Sequence, residues 1–112
     1  MRNKYNNIKK TIDNITFDSI KESQRYLELK MLLKTKRISD LMLQPSFELQ
    51  PMFIDRHSVK HRAINYVADF SYYEGGIRII EDVKGMKTEV YKIKKKLFIY
   101  QYVAADLVFK EL

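Results

Sequence analysis

Two runs that read as β-strands meet at Gly75-Gly76, and no other feature of the chain narrows its fold as much. The first run is Ile64-Asn65-Tyr66-Val67-Ala68-Asp69-Phe70-Ser71-Tyr72-Tyr73, rich in aromatic and branched residues. The second is Ile77-Arg78-Ile79-Ile80-Glu81-Asp82-Val83-Lys84. A two-residue hairpin turn needs positive φ at both positions, which glycine adopts without steric cost. If Glu74 pairs with Ile77, the register sets Asp69 directly opposite Asp82, with Cβ atoms about 4.5–5.5 Å apart on one face. Lys84 lies two residues beyond Asp82 on that same face. Two carboxylates about 5 Å apart repel by about 3 kcal/mol at an effective dielectric of about 20. That is a sizeable share of a small domain's stability, about 5–15 kcal/mol. A divalent cation would turn the repulsion into attraction, so the pair reads as a metal site. The competing reading is a solvated hairpin with scattered charges. Acid-x-Lys triplets are common (Glu28-Leu29-Lys30 is another here), and a bulged loop would slip the register by one.

Length and charge bound what such a site could serve. At 112 residues the chain is expected to form one core. Its 46% hydrophobic and 31% charged content is that of a soluble globular protein. No apolar run approaches the roughly 20 residues that span a bilayer, and the polar N-terminus lacks a signal-peptide pattern, so no membrane partner is expected. Without cysteine there is neither a disulfide framework nor a thiolate metal site, and a cytoplasmic location is the default. The net charge of +7 points toward a polyanionic partner. The charge is clustered: Lys84 to Lys96 holds six lysines against one acid, Glu89. The plainer reading of that block is a solvated helix face.

Residues 1–15 read as a basic flexible arm or a short hairpin turning at Asp13-Asn14, and 16–112 as a single domain. A helix is expected from Asp18 to Arg37, with Leu27, Leu29, Met31, Leu32 and Leu33 as its apolar side. Ser46-Phe47-Glu48-Leu49 alternates as a strand and is expected to run on to Ile54 past Pro51, with Asp55 to Lys60 as a polar loop. After the hairpin, a second helix is expected over Thr88–Tyr102, burying Val90, Ile93, Leu97 and Tyr100. A last strand is expected at Leu107-Val108-Phe109. A strand returning after a helix lies parallel to a neighbour. The expected fold is therefore α/β, a mixed four-stranded sheet flanked by helices in the order α-β-β-β-α-β.

Glu22 is a third candidate acid. It shares a helical stripe with Ser19, Tyr26, Leu29 and Leu33 and so faces inward near the helix start. The alternative is a capping box, in which Glu22 returns to the Ser19 amide. His57 and His61 have zinc-like spacing but fall in a loop, where the shared helical face is lost.

These residues together resemble the PD-(D/E)XK nuclease superfamily, and more closely a group of small phage-encoded proteins regarded as endonucleases. The segments that carry the resemblance are Phe17-Asp18-Ser19-Ile20-Lys21-Glu22, Gln44-Pro45-Ser46-Phe47-Glu48-Leu49, Tyr66-Val67-Ala68-Asp69-Phe70, Asp82-Val83-Lys84-Gly85 and Thr88-Glu89-Val90-Tyr91 running into Lys94-Lys95-Lys96-Leu97. They cover residues 17 to about 98 in the order the superfamily requires. The resemblance implies the restriction-endonuclease-like fold, with Glu22, Asp69, Asp82 and Lys84 as catalytic residues. Archaeal-type Holliday junction resolvases show a similar glutamate-first arrangement. Ala68 stands where the name-giving proline would be, and Asp82 replaces the commoner glutamate.

The implied activity is Mg²⁺-dependent hydrolysis of DNA phosphodiester bonds, structure-selective for Holliday junctions or other branched DNA in phage recombination or replication. Mn²⁺ is the expected substitute. Glu22, Asp69, Asp82 and the carbonyl of Val83 would hold the metal, which lowers the pKa of a bound water and offsets transition-state charge. Lys84, flanked by carboxylates, would orient water or stabilise the phosphorane rather than act as a general base. Ser19, Lys87, Thr88, Tyr91, Lys94 and Lys95 are the expected DNA contacts, to phosphates rather than to bases. Paired incisions call for a homodimer, with Tyr72, Tyr73 and Tyr102 as candidate interface aromatics. The alternatives are a non-catalytic nucleic-acid-binding module and a structural or adaptor protein of a phage particle.

Overall fold

The computed structural model describes residues 8–112. The elements in chain order are β1 (Lys10–Ile12), β2 (Ile15–Phe17), α1 (Ile20–Lys34), β3 (Ser39–Leu43), β4 (Ser46–Gln50), β5 (Phe53–Ile54), β6 (Lys60–His61), β7 (Ile64–Val67), β8 (Phe70–Glu74), β9 (Ile77–Asp82), α2 (Glu89–Tyr102) and β10 (Leu107–Glu111). The fold is α/β. A mixed sheet of four strands in the order β10-β9-β8-β3 pairs β9 with β10 in parallel and its other neighbours antiparallel.

The Gly75-Gly76 hairpin forms in the expected register. Both glycines have positive φ (59° and 80°), and the ladder runs from Glu74↔Ile77 to Phe70↔Glu81. Alternation along β9 then sends Ile79 and Glu81 to one face and Ile80 and Asp82 to the other. On the first face α1 covers a core of Tyr26, Leu29, Phe70, Tyr72 and Ile79. On the second, α2 covers Phe47, Tyr66, Ile80, Tyr91 and Phe98. The arm or hairpin expected over 1–15 falls partly outside the described residues; within them, Asp13 and Asn14 (φ 55° and 63°) turn β1 into β2.

Five expectations are corrected. The run 64–73 is not one strand: it breaks at Ala68-Asp69, where the Asp69 amide donates to the Glu81 carbonyl (3.0 Å) ahead of the first ladder pair. At the same level the chain bends at Gln44-Pro45, with Gln44 N bonded to Asp69 O (2.9 Å) and Ala68 N to Pro45 O (3.0 Å). The β3–β8 ladder thus continues around a corner as the separate β4–β7 ribbon, and Asp69 occupies the corner. Second, the strand next to β8 in the sheet is β3, not 46–54; a bulge between Ser39 and Met42, with Asp40 at φ 52°, conceals its alternation. Third, β4 stops at Gln50, before Pro51, and Phe53–Ile54 forms a separate strand, β5, that pairs with β6 across the expected loop.

The fourth correction concerns α2, which buries Tyr91 and Phe98 while Val90 (62%), Ile93 (60%) and Tyr100 (87%) face solvent. Aromatic packing decides this: Phe98 meets Phe47, Tyr66, Tyr102 and Phe109 at centroid distances of 4.7–5.9 Å. Such pairs add about 0.5–1.5 kcal/mol each beyond area burial. The same choice of face, made in α1, is narrower than expected: Glu22, Ser23, Tyr26 and Leu29 are buried, whereas Leu27 and Met31 are exposed. Fifth, Tyr72 is buried and unavailable to an interface.

Candidate active site

Three separate pieces of chain deliver the acids and the lysine to one end of the sheet. The corner at Ala68-Asp69 leaves the Asp69 carboxylate free to reach across to β9, where it accepts the Val83 amide proton at 2.6 Å. The facing pair read from the sequence is thereby modified: Asp69 and Asp82 are not ladder partners, yet they remain neighbours, and the charge of Asp82 acts on Asp69. The Asp69 carboxyl is pushed up to about 8, first by burial and next by Asp82.

Asp82 has no exposed surface. The Tyr66 hydroxyl donates to its Oδ2. Its Oδ1 lies 3.2 Å from Lys84 Nζ but has no hydrogen-bond partner, the one buried side-chain atom among the described residues left so. Lys84 in turn sits 4.8 Å from the Tyr91 ring centroid, its ammonium held between a carboxylate and an aromatic face.

Glu22 arrives from α1. Ser19 Oγ accepts its amide proton at 3.1 Å, forming the hydroxyl half of the capping box. The Glu22 pKa is raised, by burial first and by Asp18 next, with Lys84 opposing. Glu22, Asp69, Val83 and Lys84, with Ser19, line a cleft of about 310 Å³. Glu22 and Asp69 also border a second hollow of about 600 Å³ toward Thr16 and Gln44, so the two hollows meet at these acids.

The cleft therefore collects Ser19, Glu22, Asp69, Val83 and Lys84, with Asp82 buried behind them. The expected DNA contacts of α2 do not line this cleft, although the Tyr91 ring adjoins Lys84. Lys87 (2.9 Å), Lys95 (3.0 Å) and the Tyr91 hydroxyl converge on Glu111, at the end of β10. They hold the Glu111 carboxyl at about 2, the Tyr91 hydroxyl contributing most and Lys87 next. Thr88 caps α2 by accepting the Tyr91 amide proton at 3.1 Å, and Lys94 is half-buried. Lys87 and Lys95 thus share one carboxylate, and Lys94 is in no ion pair among the described residues.

Two contributors were missed in the sequence. Tyr66 reaches Asp82 because the corner folds β7 over the α2 face; no local residue pattern announces that bend. Glu111 is one acid opposite two lysines 16 and 24 positions away, a pairing only the parallel β9–β10 register creates.

The donor set fits a hard divalent cation in part. The atoms are oxygens, the Asp82 Oδ1 is unsatisfied, and two acids crowd together. Among the described residues, however, no three His, Cys, Asp or Glu side chains stand ready-gathered as a cation cage. None of the described helices is long and apolar enough to cross a membrane.

The family described as Protein of unknown function (DUF1064) matches residues 2–111. The chain belongs to that family. The match spans every element of the fold and all the acids of the cleft. No curated protein and no solved structure matches the chain.

Proposed function

We propose that this chain is a Mg²⁺-dependent endodeoxyribonuclease of the PD-(D/E)XK type, acting on branched DNA. The observation that carries the reading is Asp82: a fully buried carboxylate with one unsatisfied oxygen, next to a second acid and a lysine that themselves line an open cleft. An unsatisfied buried polar atom costs about 1–3 kcal/mol, and a ligand that uses the atom offsets that cost. Asp69, Asp82 and the Val83 carbonyl would hold the metal, with Glu22 closing on it from α1 and Mn²⁺ able to replace Mg²⁺. When bound, the cation supplies an acidified water and neutralises charge on the phosphate.

The chain's own residues supply the rest. Tyr66 fixes the orientation of Asp82 by its hydroxyl. The Val83 amide fixes Asp69 and draws that carboxylate toward β9. Lys84 presents a cation at the cleft, poised to orient water or to steady the phosphorane. Ser19 and the first turn of α1 border the same cleft, where amides favour an anion. One such centre cuts one strand, so paired incisions require a homodimer, for which the exposed Val90, Ile93 and Tyr100 of α2 offer apolar surface. The setting that suits this activity is the cytoplasm of a bacterium carrying the phage or prophage.

The test offers labelled four-way junction, flap and linear duplex to the wild type and to Lys84→Ala, each with Mg²⁺ or with chelator. Cleavage of branched DNA by the wild type in Mg²⁺, reduced by about a hundredfold or more in the variant, is the expected result, given that one electrostatic donor of this kind contributes about 10²–10³. Equal cleavage by both proteins would refute the assignment. A non-catalytic DNA-binding module is the second reading, favoured by the lack of a ready-gathered acid triad among the described residues. It predicts binding that ignores Mg²⁺ and no cleavage by either protein.

A further inference from the structure

The β4–β7 ribbon does not end with the domain. Its root is anchored: Phe47, Leu49 and Tyr66 are buried beneath α2, Tyr102 Oη donates to the Glu48 carbonyl (2.6 Å), and the Gln101 amide to the Leu49 carbonyl (2.9 Å). Beyond the root, β5 and β6 continue outward, and across 51–65 every residue but Asp55 is exposed. The radius of gyration, 16.2 Å, exceeds the roughly 13 Å of a compact chain of this length, as a protruding arm requires.

A bare two-stranded ribbon is marginally stable in water, yet this one has a built tip. The Asp55 carboxylate accepts the amide protons of His57 (2.8 Å) and Val59 (3.0 Å) and pairs with His61 Nε2 (2.8 Å). The His61 ring stacks on Phe53 at 4.6 Å, and Ser58 at φ 64° closes the turn. Asp55, the only acid across 51–65, is thereby consumed. Arg56, Lys60 and Arg62 face solvent, outside every ion pair among the described residues. Between them stand exposed apolar side chains, among them Phe53 (40%), Ile54 (64%) and Val59 (52%).

We propose that this ribbon is a DNA-gripping arm, engaging a groove of the substrate away from the cleft. A two-stranded ribbon has the width of a DNA groove. Cations along it match phosphates, and apolar side chains on such an arm wedge between base steps. The wedge is least costly where stacking is already lost, so the arm favours a branch point over continuous duplex. A second copy of a chain of net charge +7 is a poorer match for this cationic surface than a polyanion. The proposal rests on the nuclease reading for the choice of DNA as partner, and on none of its chemistry.

Binding is tested in chelator, on the full chain carrying Lys84→Ala, so that cleavage plays no part. Fluorescence anisotropy follows a labelled four-way junction and a continuous duplex across a salt series, with and without Arg56→Gln, Lys60→Gln and Arg62→Gln together. Each phosphate that the arm no longer neutralises lowers the slope of log K against log salt by about 0.9. The expected result is a slope smaller by about 2–3 and affinity weaker by about tenfold or more. Ile54→Ser with Val59→Ser, both at exposed positions, is expected to shrink the preference for junction over duplex and leave the slope alone. Unchanged slope and affinity in the triple variant would overturn the proposal. So would loss of self-association, seen by light scattering, with DNA binding intact; the arm would then be a protein-docking surface. Arm-dependent binding by a wild type that cuts nothing in Mg²⁺ would sink the nuclease reading and leave the arm standing.

Discussion

Glu81 and Asp82 are consecutive on β9, both without exposed surface, and they leave the strand on opposite faces. Glu81 is fully provided for. Arg25 grips it with two bonds (Nε at 2.8 Å, Nη2 at 2.6 Å) and Tyr72 adds a third from its hydroxyl. Asp82 has one hydroxyl from Tyr66, a lysine at ion-pair distance, a carboxyl neighbour and an oxygen with no hydrogen bond. The two sites are made of the same pieces (acid, cation, tyrosine) and differ in geometry and completeness. A closed cluster of this kind joins α1 to the sheet and has no valence left for a ligand. An open one beside a cleft is unstable unless something else completes it. Chemistry is therefore to be sought on the Asp82 face, and stability on the Glu81 face.

The largest effect that tests this division is on folding. Glu81→Gln breaks a buried ion pair, which costs about 3–5 kcal/mol, and the lower end applies because Arg25 keeps Glu28 at 3.3 Å and partial access to water. At about 4–8 °C per kcal/mol for a domain of this size, thermal denaturation would show a fall of more than about 10 °C. Asp82→Asn keeps the shape, relieves repulsion with Asp69, and is expected to change stability by less than about 1 kcal/mol while abolishing cleavage. Comparable losses of stability in the two variants would erase the distinction between the faces.

What could be read from the chain divides along a similar line. The hairpin and its register were legible because Gly75 and Gly76 leave little choice of turn and the flanking runs alternate. The inward stripe of α1 was legible in part: Glu22, Tyr26 and Leu29 follow the helical period, whereas the apolar Leu27 and Met31 beside them are exposed. In α2 two stripes have equal periodicity, and the aromatic one, Tyr91 and Phe98, prevails through partners distant in sequence. Lysines interleaved with it made that side read as solvent-facing, although Lys95 spends its charge on Glu111 and lies 5.7 Å from the Phe109 ring centroid. The corner at Asp69 was illegible because it is made by backbone bonds between Gln44-Pro45 and Ala68-Asp69, distant in sequence, which leave no mark on the local hydrophobic pattern. The acids of the cleft could thus be named from the sequence, but not the tyrosine that orients one of them or the arm that projects beyond them.

An intermediate effect comes from protons. Asp69 holds its carboxyl at about 8 in the folded chain, against 3.8 for an unperturbed aspartate, and Glu22 is shifted in the same direction. Between these values the folded state keeps a proton that the unfolded chain has released. Stability contributed by Asp69 is therefore present below about pH 4 and lost as pH rises toward 8, with a slope approaching about 1.4 kcal/mol per pH unit. The sign is opposite to that of a salt-bridged carboxylate. A divalent cation needs the deprotonated acid, so Mg²⁺ should raise the melting temperature clearly at pH 8.5 and little at pH 6. Equal Mg²⁺ effects at both values, or equal effects in Asp82→Asn, would remove the cation from this face.

The smallest effect separates the two tyrosines. Tyr72→Phe deletes one donor of three from Glu81, and the Arg25 fork remains, so a loss of about 1 kcal/mol is expected. Tyr66→Phe deletes the only hydrogen bond to the Asp82 carboxylate among the described residues, leaving it buried with Lys84 alone, and should cost about 2–3 kcal/mol without metal. With saturating Mg²⁺ the cation takes over what the hydroxyl did, so the cost of Tyr66→Phe should fall toward that of Tyr72→Phe, which metal leaves unchanged. Urea denaturation of both variants at pH 8, with and without Mg²⁺, reads the difference. A Tyr66→Phe penalty that ignores Mg²⁺ would mean that the open oxygen of Asp82 waits for water rather than for a metal, and the asymmetry between the faces would then be one of packing.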